Sequence, residues 1–179
     1  MIENLLRIAP ASALGAPSST PALVNWSDVQ SRLGCGLPDD YKSLIETYVP
    51  GSFGGFIHIF RPSFPYPAID LEEQIESSAA ALKELQLGGE RIPYRLDEPS
   101  ELMAVGRTDN GDVIYFVRQP LDDPNSWTIA VNEARGDEWD TFEGDITDFV
   151  ASAISGARRF AVFPSSFPID GPLFEPYEM

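Results

Sequence analysis

Few side chains in this sequence are suited to covalent chemistry. The one histidine, His58, stands between Ile57 and Ile59, and the one cysteine, Cys35, stands between Gly34 and Gly36. A lone histidine with no serine or cysteine nucleophile beside it argues against a hydrolytic triad. Cys35 has no activating partner nearby in sequence and reads as structural. The chain has no Gly-x-Ser-x-Gly elbow, no Gly-x-x-x-x-Gly-Lys phosphate loop, and no Gly-x-Gly-x-x-Gly after a strand. One His and one Cys build neither a zinc site nor a disulfide framework. Asp109-Asn110-Gly111-Asp112 has the acids of a calcium loop but lacks its alternating ligands and distant glutamate. Hairpin-turn chemistry accounts for it without metal. The sequence therefore predicts no catalytic residue, no metal and no cofactor: the protein is not expected to be an enzyme.

Carboxylates are the abundant chemistry. Asp plus Glu number 28 against 12 Lys plus Arg, a net charge of -16. That sign excludes generic nucleic-acid binding and disfavours attachment to an anionic membrane. From Asp97 to Phe149 there are 14 acids and three bases (Arg107, Arg118 and Arg135), so -11 of the total lies there. The tightest group is Asp137, Glu138, Asp140, Glu143, Asp145 and Asp148, with no base among them. Such an array can be a solvated surface that keeps the protein soluble, or it can be presented to a basic protein partner. On the second reading Glu133, Asp137, Glu138 and Asp140 are the candidate charged contacts, with Asp122 and Asp123 at the rim.

The elements that must position these groups follow from periodicity. Residues 1–8 suit a short amphipathic helix, and the Ala/Ser/Gly/Pro stretch 10–21 a flexible connection. Asn25 caps a helix carrying Trp26, Val29 and Leu33, stopped by Gly34 and Gly36. Leu37-Pro38-Asp39-Asp40 starts a second helix, with Tyr41, Leu44, Ile45 and Tyr48 as its buried stripe. Residues 51–55 read as a glycine-rich loop, and 56–60 as a short strand. The longest helix spans 70–87 through Leu71, Ile75, Ala79, Leu82 and Leu85. The period then changes to that of strands at 103–106 and 113–117, joined by the Asn-Gly turn, and at 127–131 and 139–142. A last helix runs from 145 to 155. Beyond it, the Pro/Phe-rich tail has no regular period and is expected to lie extended, anchored by Phe163, Phe167 and Phe174. The fold class is α+β: N-terminal helices, a central antiparallel meander and a C-terminal helix in a single domain. The expected division is 1–22 as N-terminal helix and flexible segment, 23–156 as domain and 157–179 as packed tail. No apolar run is long enough to cross a membrane, and Glu3 and Pro10 do not suit a secretory signal, so a cytoplasmic location is expected.

Trp26, Leu33-Gly34, Leu37-Pro38-Asp39-Asp40-Tyr41-Lys42, Tyr48, Gly51-Ser52-Phe53, Gly106, Asp109-Asn110-Gly111-Asp112, Trp127, Trp139 and Phe142 form an ordered series. In this order they resemble the SUKH superfamily, in the branch named after fungal cell-wall-assembly and killer-toxin-resistance regulators. The resemblance spans about residues 23–156. It implies that Trp26, Leu37, Pro38, Tyr41, Gly51, Asn110, Gly111, Asp112 and Trp139 build the fold. It also implies a non-catalytic role: an immunity protein that binds and neutralises a cognate bacterial toxin, often a nuclease with a basic active-site surface. The alternative is a regulatory adaptor or scaffold like the fungal branch.

Overall fold

The computed structural model describes residues 2–11, 23–134 and 136–177. Most of the expected flexible connection at 10–21 lies outside these residues. Helix α1 (Ile2–Ile8) buries Leu5 completely. Helix α2 (Trp26–Leu33) begins where the Asn25 side chain accepts the Asp28 N–H and ends at Gly34, whose φ of 68° is left-handed. Helix α3 (Asp39–Thr47) follows Pro38 and buries Tyr41, Leu44 and Ile45. Helix α4 (Leu71–Leu87) is capped by Asp70, whose carboxylate accepts the Glu73 N–H. Helix α5 (Ile146–Ile154) is capped in the same way by Asp145 through the Asp148 N–H. Each cap satisfies an amide that the helix itself leaves without a partner.

Seven strands form one antiparallel sheet. They are β1 (Gly51–Phe53), β2 (Ile57–Ile59), β3 (Leu102–Thr108), β4 (Val113–Val117), β5 (Thr128–Asn132), β6 (Trp139–Phe142) and β7 (Phe174–Pro176), in the order β6-β5-β4-β3-β2-β1-β7. With the five helices this is the expected α+β architecture. On one face, Ile57, Ile59, Ile114, Phe116, Ile129 and Val131 are buried. Alternation of side chains puts them on the side of α3 and α5, where the Tyr41 ring meets Phe116 edge-on at 5.9 Å. On the other face, α4 lays Ile75, Ala79 and Leu82 near Leu102, Ala104 and Tyr115.

Two expectations change. Residues 51–55 are not simply a loop: Gly51–Phe53 is a strand, and Gly54 and Gly55, with φ of 59° and 58°, make the tight turn into β2. The tail is not wholly irregular, because Phe174–Pro176 pairs with β1. Both differences share one cause: a three-residue strand is too short to show a period, and β7 in addition pairs with a strand more than a hundred residues away. A Cβ on Gly51 would lie 2.4 Å from the Glu175 carbonyl oxygen, so β7 can approach only a glycine there. Leu85, expected on the buried stripe of α4, is instead exposed along with Leu87, where the last turn carries both out into solvent.

The C-terminal segment also dresses the opposite edge. At β6, Arg158 donates to the Asp140 carboxylate at 3.1 Å and to the Thr141 carbonyl, and the Ala161 N–H donates to the second Asp140 oxygen at 2.8 Å. Phe160, Phe163, Phe167 and Phe174 are all buried. One segment therefore supplies the edge strand at one margin of the sheet and engages β6 at the other.

Candidate acidic interface

Asp112 organises the acidic end of the sheet. It is 2% exposed. Its Oδ2 accepts the Thr108 hydroxyl at 2.6 Å, and its Oδ1 accepts the Ala134 N–H at 3.1 Å. Gly111, with φ of 91°, permits the turn between β3 and β4. The buried carboxylate thus ties this hairpin to the loop between β5 and β6. Asp109, Asn110, Asp112, Glu133, Ala134 and Val162 line a cleft of about 280 Å³ at this end. Among the described residues, no group of three or more His, Cys, Asp or Glu side chains could hold a metal ion.

The loop from 133 to 138 holds three of the candidate contacts. Its ends are closed by a hydrogen bond from the Glu133 N–H to the Glu138 carbonyl at 3.0 Å. Gly136 lies against the Glu133 carboxylate: a Cβ there would fall 1.9 Å from Glu133 Oε2, so that flexible side chain would have to swing aside. Asp137 and Glu138 are exposed, and Glu133 is half-buried at the cleft. Arg135 lies outside the described residues. Asp140 differs from its neighbours: both its oxygens are engaged, by Arg158 and by the Ala161 N–H, so its negative charge is largely compensated within the chain.

Asp122 and Asp123 precede a 3-10 turn at Pro124–Ser126, at the far end of β5 from Glu133. They are exposed. This segment is pinned to the start of α3, where Asn125 accepts the Asp39 N–H at 2.8 Å and donates to the Asp39 carboxylate at 3.0 Å. The structure therefore gathers Glu133, Asp137 and Glu138 with Asp109 and Asp112, and leaves Asp122 and Asp123 at the other end of the strand.

Several residues of the sequence series lie in packing positions, whereas Asn110 and Gly111 are exposed in the hairpin turn. Trp26 meets the Tyr41 ring edge-on at 6.0 Å, and the Tyr41 hydroxyl donates to the Phe60 carbonyl at 2.7 Å. Burial holds the Tyr41 phenol far above its ordinary value. Leu37 and Pro38 are buried at the entry to α3, and Trp139 lies between Tyr94 and Tyr115. Burial also pushes the Cys35 thiol up, partly opposed by Arg118, which leaves it little thiolate at neutral pH.

Sequence reasoning missed one cluster. His58 Nε2 lies 2.7 Å from Asp109 Oδ1, and His58 Nδ1 lies 2.5 Å from the Tyr177 hydroxyl. The Tyr177 ring stacks on the imidazole at 5.8 Å. Burial pushes the Tyr177 phenol up to about 12, against the pull of Arg107. The chain reversals that join residues 58, 109 and 177 leave no local signal. Asp109–His58–Tyr177 has the order of a proton relay, but its last member is a poor nucleophile at neutral pH, and the contact fastens the tail to the sheet.

Among the described residues, no helix is long and apolar enough to cross a membrane. Comparison with curated proteins and with solved structures finds no match. A family model described as SMI1 / KNR4 family (SUKH-1) matches residues 21–152, which takes in the helices from α2 onward, strands β1 to β6 and the acidic loop. The chain belongs to the SMI1 / KNR4 family (SUKH-1).

Proposed function

We propose that this protein is a non-catalytic immunity protein that binds a cognate bacterial toxin domain and occludes a basic active-site surface. The observation that carries the reading is the acidic loop between β5 and β6: Asp137 and Glu138 are exposed and Glu133 is half-buried beside them, next to the hydrogen bond from Ala134 to buried Asp112. Family membership supports a binding role of this kind. A nuclease needs a basic groove to hold phosphates, and a rigid set of carboxylates complements that groove. Charge of this density steers encounter, raising association rates toward about 10⁸–10⁹ M⁻¹s⁻¹ at low salt. Neutralisation then requires no chemistry from His58 or Cys35, only occupancy. The partner is a protein with a basic face, and the protein acts where such a toxin would otherwise act, in the cytoplasm.

The test is co-expression with the toxin encoded beside the gene. Rescue of growth and a complex that weakens with salt are expected. Absence of rescue and of a complex at low salt would overturn the reading. A regulatory adaptor role, the other activity associated with this family's name, predicts no linked toxin at all.

A further inference from the structure

The half of the sheet face not covered by α4 is crossed by a row that register fixes from edge to edge. Ser52 pairs with His58, His58 with Arg107, Arg107 with Val113, Val113 with Asn132, and Asn132 with Trp139. These residues share one face. From His58 to Trp139 all are half-buried, and Tyr177 lies over the His58 end. Half-buried aromatic rings, an arginine and an asparagine on one sheet face match the composition of interface centres. Arg107 is the one arginine in this row. Among the described residues it makes no ion pair and no side-chain hydrogen bond, and its Nε, like that of Arg118, is buried without an acceptor. The nearest acid in sequence, Asp109, accepts from His58 instead.

We infer that Arg107 is a recognition site for a single carboxylate side chain carried by the partner protein. This rests on the proposed binding of a basic partner and deepens it. A planar guanidinium with no acidic partner among the described residues can take a carboxylate in a two-pronged contact. Free carboxylates are repelled by the surrounding charge, so the acid must arrive embedded in a positively charged surface. The acidic loop begins immediately after Asn132 in the same row and ends immediately before Trp139. A partner can therefore rest its basic surface on Glu133, Asp137 and Glu138 while placing one acid at Arg107. The loop supplies attraction, and Arg107 supplies register, rejecting basic surfaces that lack the acid.

Two capped peptides separate these contributions: acetyl-Lys-Lys-Glu-Lys-Lys-amide and the same peptide with Gln in place of Glu. Affinities are measured on the intact protein, with the Arg107 Nε–H followed by NMR. The wild type is expected to prefer the Glu peptide by about tenfold and to shift the Arg107 signal with it, as a charge-assisted pair replaces a neutral one. Arg107→Met should erase the preference while still binding both peptides, and Arg107→Lys should retain only part of it. Equal affinities in the wild type, a preference that survives Arg107→Met, or failure of the Glu peptide to bind would each overturn the inference. The Gln peptide reports separately on the acidic loop: its binding, and its loss in Glu133→Gln/Asp137→Asn/Glu138→Gln, test the underlying attraction whatever Arg107 does.

Discussion

The carboxylate of Asp112 receives the backbone N–H of Ala134 at 3.1 Å, across 22 residues of sequence. One buried acid thereby makes the hairpin turn and the acidic loop a single unit. Asp112→Ala leaves both the Thr108 hydroxyl and the Ala134 amide without their acceptor. It should cost about 2–3 kcal/mol in urea unfolding. Asp112→Asn, which keeps one acceptor and gains a donor, should cost less than half of that. Amide exchange at Ala134 should accelerate in the alanine variant more than exchange in β4.

Asp40 makes the stability of the fold depend on pH. Burial raises its carboxyl above the usual range, Asp145 adds to the rise, and N–H groups of Thr147, Tyr41 and Ile146 oppose it. A folded-state value above the unfolded one means that stability is fully present below the unfolded value and is lost as pH rises through the folded one. Asp40→Asn avoids that loss and keeps an acceptor for Thr147. The variant should be more stable than wild type by about 1 kcal/mol at pH 7, and the advantage should vanish near pH 3. Melting curves at the two pH values decide it.

Gly51 and Phe174 together hold the tail strand on the sheet. The Phe174 ring lies 4.8 Å from Tyr48 and 5.0 Å from Phe53. Gly51→Ala forces the Glu175 carbonyl away and should cost at least about 2 kcal/mol. Phe174→Ala should cost about 3 kcal/mol by leaving a cavity among three rings. Either change opens the β1 edge, so self-association measured by analytical ultracentrifugation should rise.

Tyr177→Phe removes the hydroxyl from His58 Nδ1 and keeps the stacked ring. A loss of about 1 kcal/mol is expected. A much larger loss would mean that the hydroxyl, rather than the ring and β7, holds the tail in place.

These results separate what the sequence encodes locally from what it does not. Helix starts were legible because their signals are local: Asn25, Asp70 and Asp145 each cap the helix that follows. The Asn110-Gly111 hairpin and β6 were legible for the same reason, through turn chemistry and alternation. β1 and β7 were not, because each is too short to show a period, and β7 exists only through its pairing with β1, while β1 pairs with both β2 and β7. At the acidic interface, charge density pointed to residues 133–140 but could not show which carboxylates are spent inside the fold. Asp140 and Asp137 look alike in sequence, yet Arg158 and the Ala161 amide hold the first, while the second is exposed. Arg107 was counted only as one base among many acids, and that it meets no acid among the described residues is a fact of three dimensions.

The central claim is that the loop between β5 and β6 draws in a basic toxin. It is tested most directly by stopped-flow association of the purified protein with the toxin encoded beside it, across a range of salt. Glu133→Gln/Asp137→Asn/Glu138→Gln should slow association about tenfold or more at low salt and flatten its salt dependence, with the melting temperature little changed. Association rates and salt dependence equal to those of the wild type would contradict it and reduce the loop to a solvated surface.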